Sequence, residues 1–246
     1  MRPYVLPLLC LLAGPLASPL TTAAPGDEGG ARPEVLTESF LAYHPDIKFR
    51  MEGLEALEDG LPEAAFGAFK RASRYADKAA QAAVGEMLWQ GRGTAQDRSL
   101  AYAWMDLAAE RGYQTFIGLR EYYWNSLSDS ERARAVEVGK QVYAEFGDAV
   151  AKPRIEQKLR QGRSKITGSR VGFVGALTIQ IPGPGGWLTV DGSTYYADHY
   201  WRADDYFAWQ DRTWKNPPTG TVDVGPLQSA PRGGDSGIER KYDEPR

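Results

Sequence analysis

The sequence predicts a mainly α-helical chain: a short α-solenoid of about three helical hairpins, followed by a small β-containing, aromatic-rich C-terminal region. Three observations carry that expectation. Small and apolar residues recur at helical spacing on both sides of a glycine-containing loop between Ala80 and Gly112. The pattern is self-similar, since a shift back by 36 residues puts Ala65 on Ala101, Phe69 on Met105, Ala72 on Ala108 and Ala76 on Gly112. Beyond Ile166 the helical period gives way to alternation with a period of two, punctuated by Pro and Gly.

The first segment belongs to a different class. Met1-Arg2 makes a short positive start, Val5 to Leu16 is apolar and uncharged, and the small residues Thr21-Thr22-Ala23-Ala24 follow. That is the anatomy of a secretory signal peptide over residues 1–23, with an apolar run too short for a stable membrane span. Pro25 disfavours a cut directly before it, so cleavage is expected after Ala23. Leu9 precedes Cys10 where a lipoprotein signal wants a small residue. The processed chain then has no cysteine and must draw its stability from its core. A periplasmic or secreted location follows, with no stable membrane span left after cleavage.

Residues 24–46 read as a flexible leader with a short capping helix from Glu34 to Tyr43. Residues 47–147 hold the hairpins, Ile47 to Tyr75, Asp77 to Arg111 and Tyr113 to Phe146. In the middle one, Ala80, Val84 and Leu88 rise at i, i+4 and i+8, answered by Ala101, Trp104 and Ala108. Gly85 interrupts the first helix at a cost of about 1 kcal/mol against Ala, tolerated where another backbone must come close. Gly91 and Gly93 suit a turn with positive φ, and Asp97 suits an N-cap. Phe116, Leu119 and Tyr123 give the third hairpin its first apolar face, and Ser128-x-x-Glu131 is a capping-box signature for its second helix. A polar linker helix, Lys152 to Gln161, occupies residues 148–165. In residues 166–225, Val171–Val174, Leu177–Ile181, Trp187–Val190 and Thr221–Val224 read as strands, with a turn at Asp191-Gly192. The many aromatics between Trp187 and Trp214 are expected to form the core of that β region. Residues 226–246 carry Pro, Gly and charge without periodicity and read as disordered.

The run Val84-Gly85-x-Met87-Leu88-x-x-Gly91-x-Gly93-x-x-x-Asp97, continued by Ala101-x-x-Trp104-x-x-x-Ala108-Ala109-x-x-Gly112, resembles one complete Sel-1-like repeat, a relative of the tetratricopeptide repeat. Leu88 stands where that family usually has Tyr, and Thr94 where it usually has Val. The resemblance implies a stack of helix pairs whose surface binds a segment of another protein. With the signal segment, it implies an adaptor or assembly role in a bacterial cell envelope.

Little in the chain points to chemistry. A net charge of −3 offers no basic excess for phosphate binding, which argues against a nucleic-acid partner. Gly234-Asp235-Ser236-Gly237 copies the surroundings of a protease nucleophile, but Ile238 breaks the motif and neither His44 nor His199 sits in a triad context. Asp191, Asp198, His199, Asp204 and Asp205 cluster in sequence without the spacing of an EF-hand or a zinc site. No catalytic residue, metal or cofactor is assigned. The expectation is a non-enzymatic protein that binds a protein partner. A cell-wall or glycan-binding protein using the aromatic C-terminal region is the alternative, and an envelope hydrolase the least supported reading. Candidate partner contacts are Trp89, about 140° around its helix from Val84, with Arg120 and Tyr123 on the next first helix. Trp104 matches a packing position and is expected in the core.

Overall fold

Local start signals set most helix boundaries in the computed structural model, which describes residues 31, 35–165, 178–183 and 186–215. The expected signal peptide, the strands at Val171–Val174 and Thr221–Val224, and the tail at 226–246 lie outside the described residues. Thr37 accepts a hydrogen bond from the Phe40 amide to open the short helix α1 (Glu38–Leu41). Helices α2 (Pro45–Glu58) and α3 (Pro62–Ser73) each begin on a proline, at the position where the missing N–H has no helical partner to lose. Asp77 caps α4 (Lys78–Gln90) through the Ala80 amide, and Asp97 caps α5 (Arg98–Ala108) through the Leu100 amide. Helix α4 stops at Gly91 with φ 68°, and a 3₁₀ turn (Ala109–Arg111) extends α5 to Gly112. Helix α6 spans Gln114–Ser126, and α7 (Asp129–Phe146) opens with a complete Ser128/Glu131 capping box.

The molecule is mainly helical, and the first six long helices among the described residues follow one another as α2/α3, α4/α5 and α6/α7. Helix α3 also packs on α4. The third pair departs from a simple hairpin, because α6 and α7 both pack on α5 more closely than on each other. At the α4/α5 seam the missing side chain of Gly85 has a steric reason: a Cβ there would stand 3.1 Å from the Ala101 carbonyl oxygen. Trp104 is buried, as its spacing requires, and touches the Phe146 ring. One core cluster runs from Leu57 and Phe69 through Val84, Met87 and Met105 to Phe116, Val142 and Phe146.

The linker helix is longer than expected. Helix α8 starts at Asp148, directly after Gly147, and runs to Ser164. Beyond it, β1 (Thr178–Gly183) and β2 (Gly186–Asp191) form one antiparallel hairpin with Ile179 opposite Val190 and Ile181 opposite Leu188. The expectation that residues 166–225 form a β region built on aromatics needs correcting. After Asp191 the described chain is helical, in α9 (Gly192–Tyr195), α10 (Asp198–Trp201) and α11 (Ala203–Lys215). Asp191 accepts from the Ser193 amide and so starts a helix rather than a hairpin turn. Asp204 and Asp205 in the first turn of α11, and Arg212 and Lys215 in its last, complement the helix dipole. The aromatics of this segment fill a second core. Tyr195, Tyr200, Trp201, Tyr206 and Trp209 pack with Val35, Phe40 and Ile47 at one end of the chain and with Ile155 and Leu159 of α8. Among the described residues no helix is long and apolar enough to cross a membrane.

Candidate interaction surface

The C-terminal end of α4 and the middle of α6 bring together the aromatic residues of interest. The Trp89 ring stacks on Tyr123 at 4.0 Å with an interplanar angle of 8°, and Tyr122 stands 6.3 Å away. The Arg98 guanidinium covers the Trp89 ring at 4.6 Å and also donates to the Ser126 carbonyl at the end of α6. Beneath the stack lies Glu86, buried, accepting from the Tyr123 hydroxyl at 2.5 Å and from the Gln90 side-chain amide. Burial and the Glu86 carboxylate push the Tyr123 hydroxyl well above the usual phenol range, so it serves as a donor.

The sequence-derived contacts separate here. Trp89 is half-buried, with one face given to Tyr123 and the other to Arg98. Tyr123 is 1% exposed and belongs to the core, so its reading as an outward contact is corrected. The residue that faces solvent is its neighbour Tyr122, 42% exposed. A one-residue error in register on α6 exchanges the two, because adjacent helical residues point about 100° apart. Arg120 is half-buried and bound to Glu121 at 2.6 Å and Asp106 at 3.5 Å, on the side of α6 that meets α5. It does not join the Trp89 cluster. The second aromatic pair, Tyr102 with Trp124 at 4.9 Å, is covered by Arg132 as Trp89 is by Arg98.

Two buried polar networks lie elsewhere, and neither was apparent from spacing. In the first, the Lys78 ammonium donates to Gln81 at 3.0 Å, to the Leu107 carbonyl at 3.1 Å and to Glu110 at 2.6 Å, with Asp148 also 3.0 Å away. Burial pulls the Lys78 pKa down, but its hydrogens are committed to fixed acceptors, which leaves no free amine for nucleophilic work. Arg111 forks onto Asp148 at 2.7 and 3.0 Å, and against the cost of burial this pairing, with Lys78, holds the Asp148 carboxyl well below the usual range.

The second network joins the two ends of the described chain. His44, fully buried and stacked on Phe40 at 3.7 Å, has Nδ1 at 2.8 Å from the Phe40 carbonyl oxygen and Nε2 at 2.8 Å from that of Tyr200. Two carbonyls favour the doubly protonated ring, but burial outweighs them and lowers the pKa to about 4. At neutral pH the ring therefore donates to one carbonyl only. Asp46 accepts from the Tyr206 hydroxyl at 2.5 Å, and burial followed by the nearby Asp77 charge raises its pKa to about 6. Arg50 pairs with Asp77 at 2.5 Å, which leaves two carboxyls beside one cation. Among the described residues no group of three or more His, Cys, Asp or Glu is placed to hold a metal ion. Comparison of the chain with models of known protein families, with curated proteins and with solved structures finds no match.

Proposed function

We propose that this chain is an exported, non-enzymatic interaction protein of the Sel-1-like, short-solenoid kind, which holds a protein partner in an adaptor or assembly role in the bacterial cell envelope. The observation that carries the reading is how the helix pairs abut. Gly85 lets α5 lie against α4, and the loop after α4 presses Gly93 on Pro62 of the preceding pair, where a Cβ would meet the carbonyl oxygen at 2.2 Å. Stacked pairs of that kind build extended surfaces suited to a segment of another protein. Tyr122, exposed beside the stack that Trp89 forms between Tyr123 and Arg98, supplies an aromatic group of the kind enriched at such interfaces. The buried ionic groups support the same reading, because they tie helices together.

Less favours the glycan alternative: Tyr195, Tyr200, Trp201, Tyr206 and Trp209 are buried in a core, and Tyr196, Phe207 and Trp214 of the same segment are half-buried. The test is site-specific photocrosslinking in cells at Tyr122, with Val136 on α7 as the exposed control. A discrete protein adduct at Tyr122 that is weakened by Trp89→Ala and absent at Val136 is the expected result. Adducts at both positions alike, or at neither, would remove this surface from the proposal.

A further inference from the structure

Helix α11 is the last element among the described residues. It meets the rest of the chain along the edge where first helices begin. Tyr206 bonds Asp46 in the first turn of α2. Phe207 lies beneath Arg111, at 5.3 Å, and Lys152, at 4.7 Å. Asp211 accepts from the Tyr113 hydroxyl at 2.5 Å and stands 4.0 Å from Arg111, and the Trp214 ring is 5.8 Å from Phe116 of α6. An amphipathic helix bearing aromatics and Asp211 is thus seated across Asp46 of α2, Arg111 of the 3₁₀ turn, Tyr113, Phe116 of α6 and Lys152 of α8.

The seat does not suit this occupant fully. Asp46 is 2% exposed, its Oδ2 takes the single donor Tyr206 can offer, and its Oδ1 has no well-formed hydrogen bond, the Ile47 amide being the backbone donor nearest the carboxyl. A buried carboxylate oxygen without a well-formed hydrogen bond is costly. Only Tyr206 and Trp209 of α11 are buried, and the helix is joined to α10 through Arg202 alone. A 13-residue helix has little stability of its own in water and depends on this seat. A second helix that kept the aromatic and acidic groups and carried a two-donor side chain opposite Asp46 would fit better.

We infer that this edge is a helix-binding surface which α11 occupies as an internal stand-in, so that an acidic, aromatic amphipathic helix of a partner binds there by displacing it. This deepens the interaction reading above and rests on it. Tethering gives α11 an effective concentration on the order of millimolar, so a free helix of equal intrinsic affinity scarcely competes. The contact is autoinhibitory, and loosening α11 exposes the surface.

The experiment uses the full processed chain and a fluorescein-labelled peptide with the sequence of residues 203–215. Phe207→Ala with Asp211→Ala removes contacts to Arg111, Lys152 and Tyr113 while leaving α2 to α8 intact. Hydrogen exchange is expected to show α11 amides exchanging at least ten-fold faster in the variant, with α4 and α5 unchanged. The peptide, followed by anisotropy, is expected to bind the variant at least ten-fold more tightly than the unsubstituted chain. Loosened α11 amides without improved peptide binding would overturn the inference, as would faster exchange that spreads into α4 and α5. Should α11 stay protected, Trp209→Ala is added, and protection that survives this as well marks the helix as an integral part of the fold and also overturns the inference. Tyr122 crosslinks that persist in any of these failures would leave the interaction reading standing and sink only the displaceable helix.

Discussion

Asp46 shows how one residue can make the joint between α2 and α11 depend on pH. Its folded pKa of about 6 lies above the ordinary 3.8, so folding favours the protonated form. The stability this contributes is fully present below pH 3.8 and is lost as pH rises through 6. Two pKa units correspond to at most about 3 kcal/mol. Asp46→Asn keeps an acceptor for Tyr206 and removes the buried charge. Urea unfolding is expected to show the variant more stable than the parent chain by about 1–3 kcal/mol at pH 8, with that advantage gone at pH 4. An equal difference at the two pH values would contradict the assignment. His44 acts in the opposite sense. Its folded pKa is depressed to about 4, so its contribution is present above 6.5 and lost as pH falls through 4. Comparing the variant with the parent chain at each pH cancels the His44 contribution.

The two glycines that close the middle pair separate backbone strain from steric contact at the scale of an element. Gly93 has φ 69° and would place a Cβ 2.2 Å from the Pro62 carbonyl oxygen. Gly112 has φ 76° and nothing within 4 Å of that position. Gly112→Ala is expected to cost about 1–2 kcal/mol, the left-handed penalty alone. Gly93→Ala should cost at least twice as much, because the loop must lift away from the start of α3. Thermal melts of the two variants check this directly. Equal losses would mean that the loop does not press on the preceding pair, and the argument for stacked pairs would weaken with it.

Across the whole molecule, buried charge ties helices together that are far apart in sequence. Asp148, at the start of α8, answers both Lys78 of α4 and Arg111 after α5. Asp148→Ala would leave two buried cations short of a partner and is expected to cost about 3–5 kcal/mol. Glu137→Ala breaks an ion pair with Lys140 in which both side chains are largely exposed, so its expected effect lies within about 0.5 kcal/mol. Chemical denaturation of the two variants provides the comparison, and similar losses would show that the network carries no special share of stability. The same contacts place α8 as a brace between the paired helices and the C-terminal aromatics, which explains why it extends beyond the polar stretch at 152–161.

Local rules written in the sequence determined the paired helices of residues 45–146. Caps at Asp77, Asp97 and Ser128, glycine stops at Gly91 and Gly112, and the small-residue seam around Gly85 all act within a few residues or between neighbouring helices. Trp104 was legible as core for the same reason, and Trp89 as lying off the small-residue seam. The tertiary structure decided the rest. Tyr122 and Tyr123 differ by one helical step, and only the position of α4 against α6 selects which of them is buried. The C-terminal aromatics carry strand-like composition, yet from Gly192 onward they fold as helices, because Phe40, Ile47, Ile155 and Leu159 offer them a core more than 30 residues away in the chain. Side-chain pairs such as Tyr206 with Asp46 and Lys78 with Asp148 form only when distant segments meet, and no local period encodes that meeting.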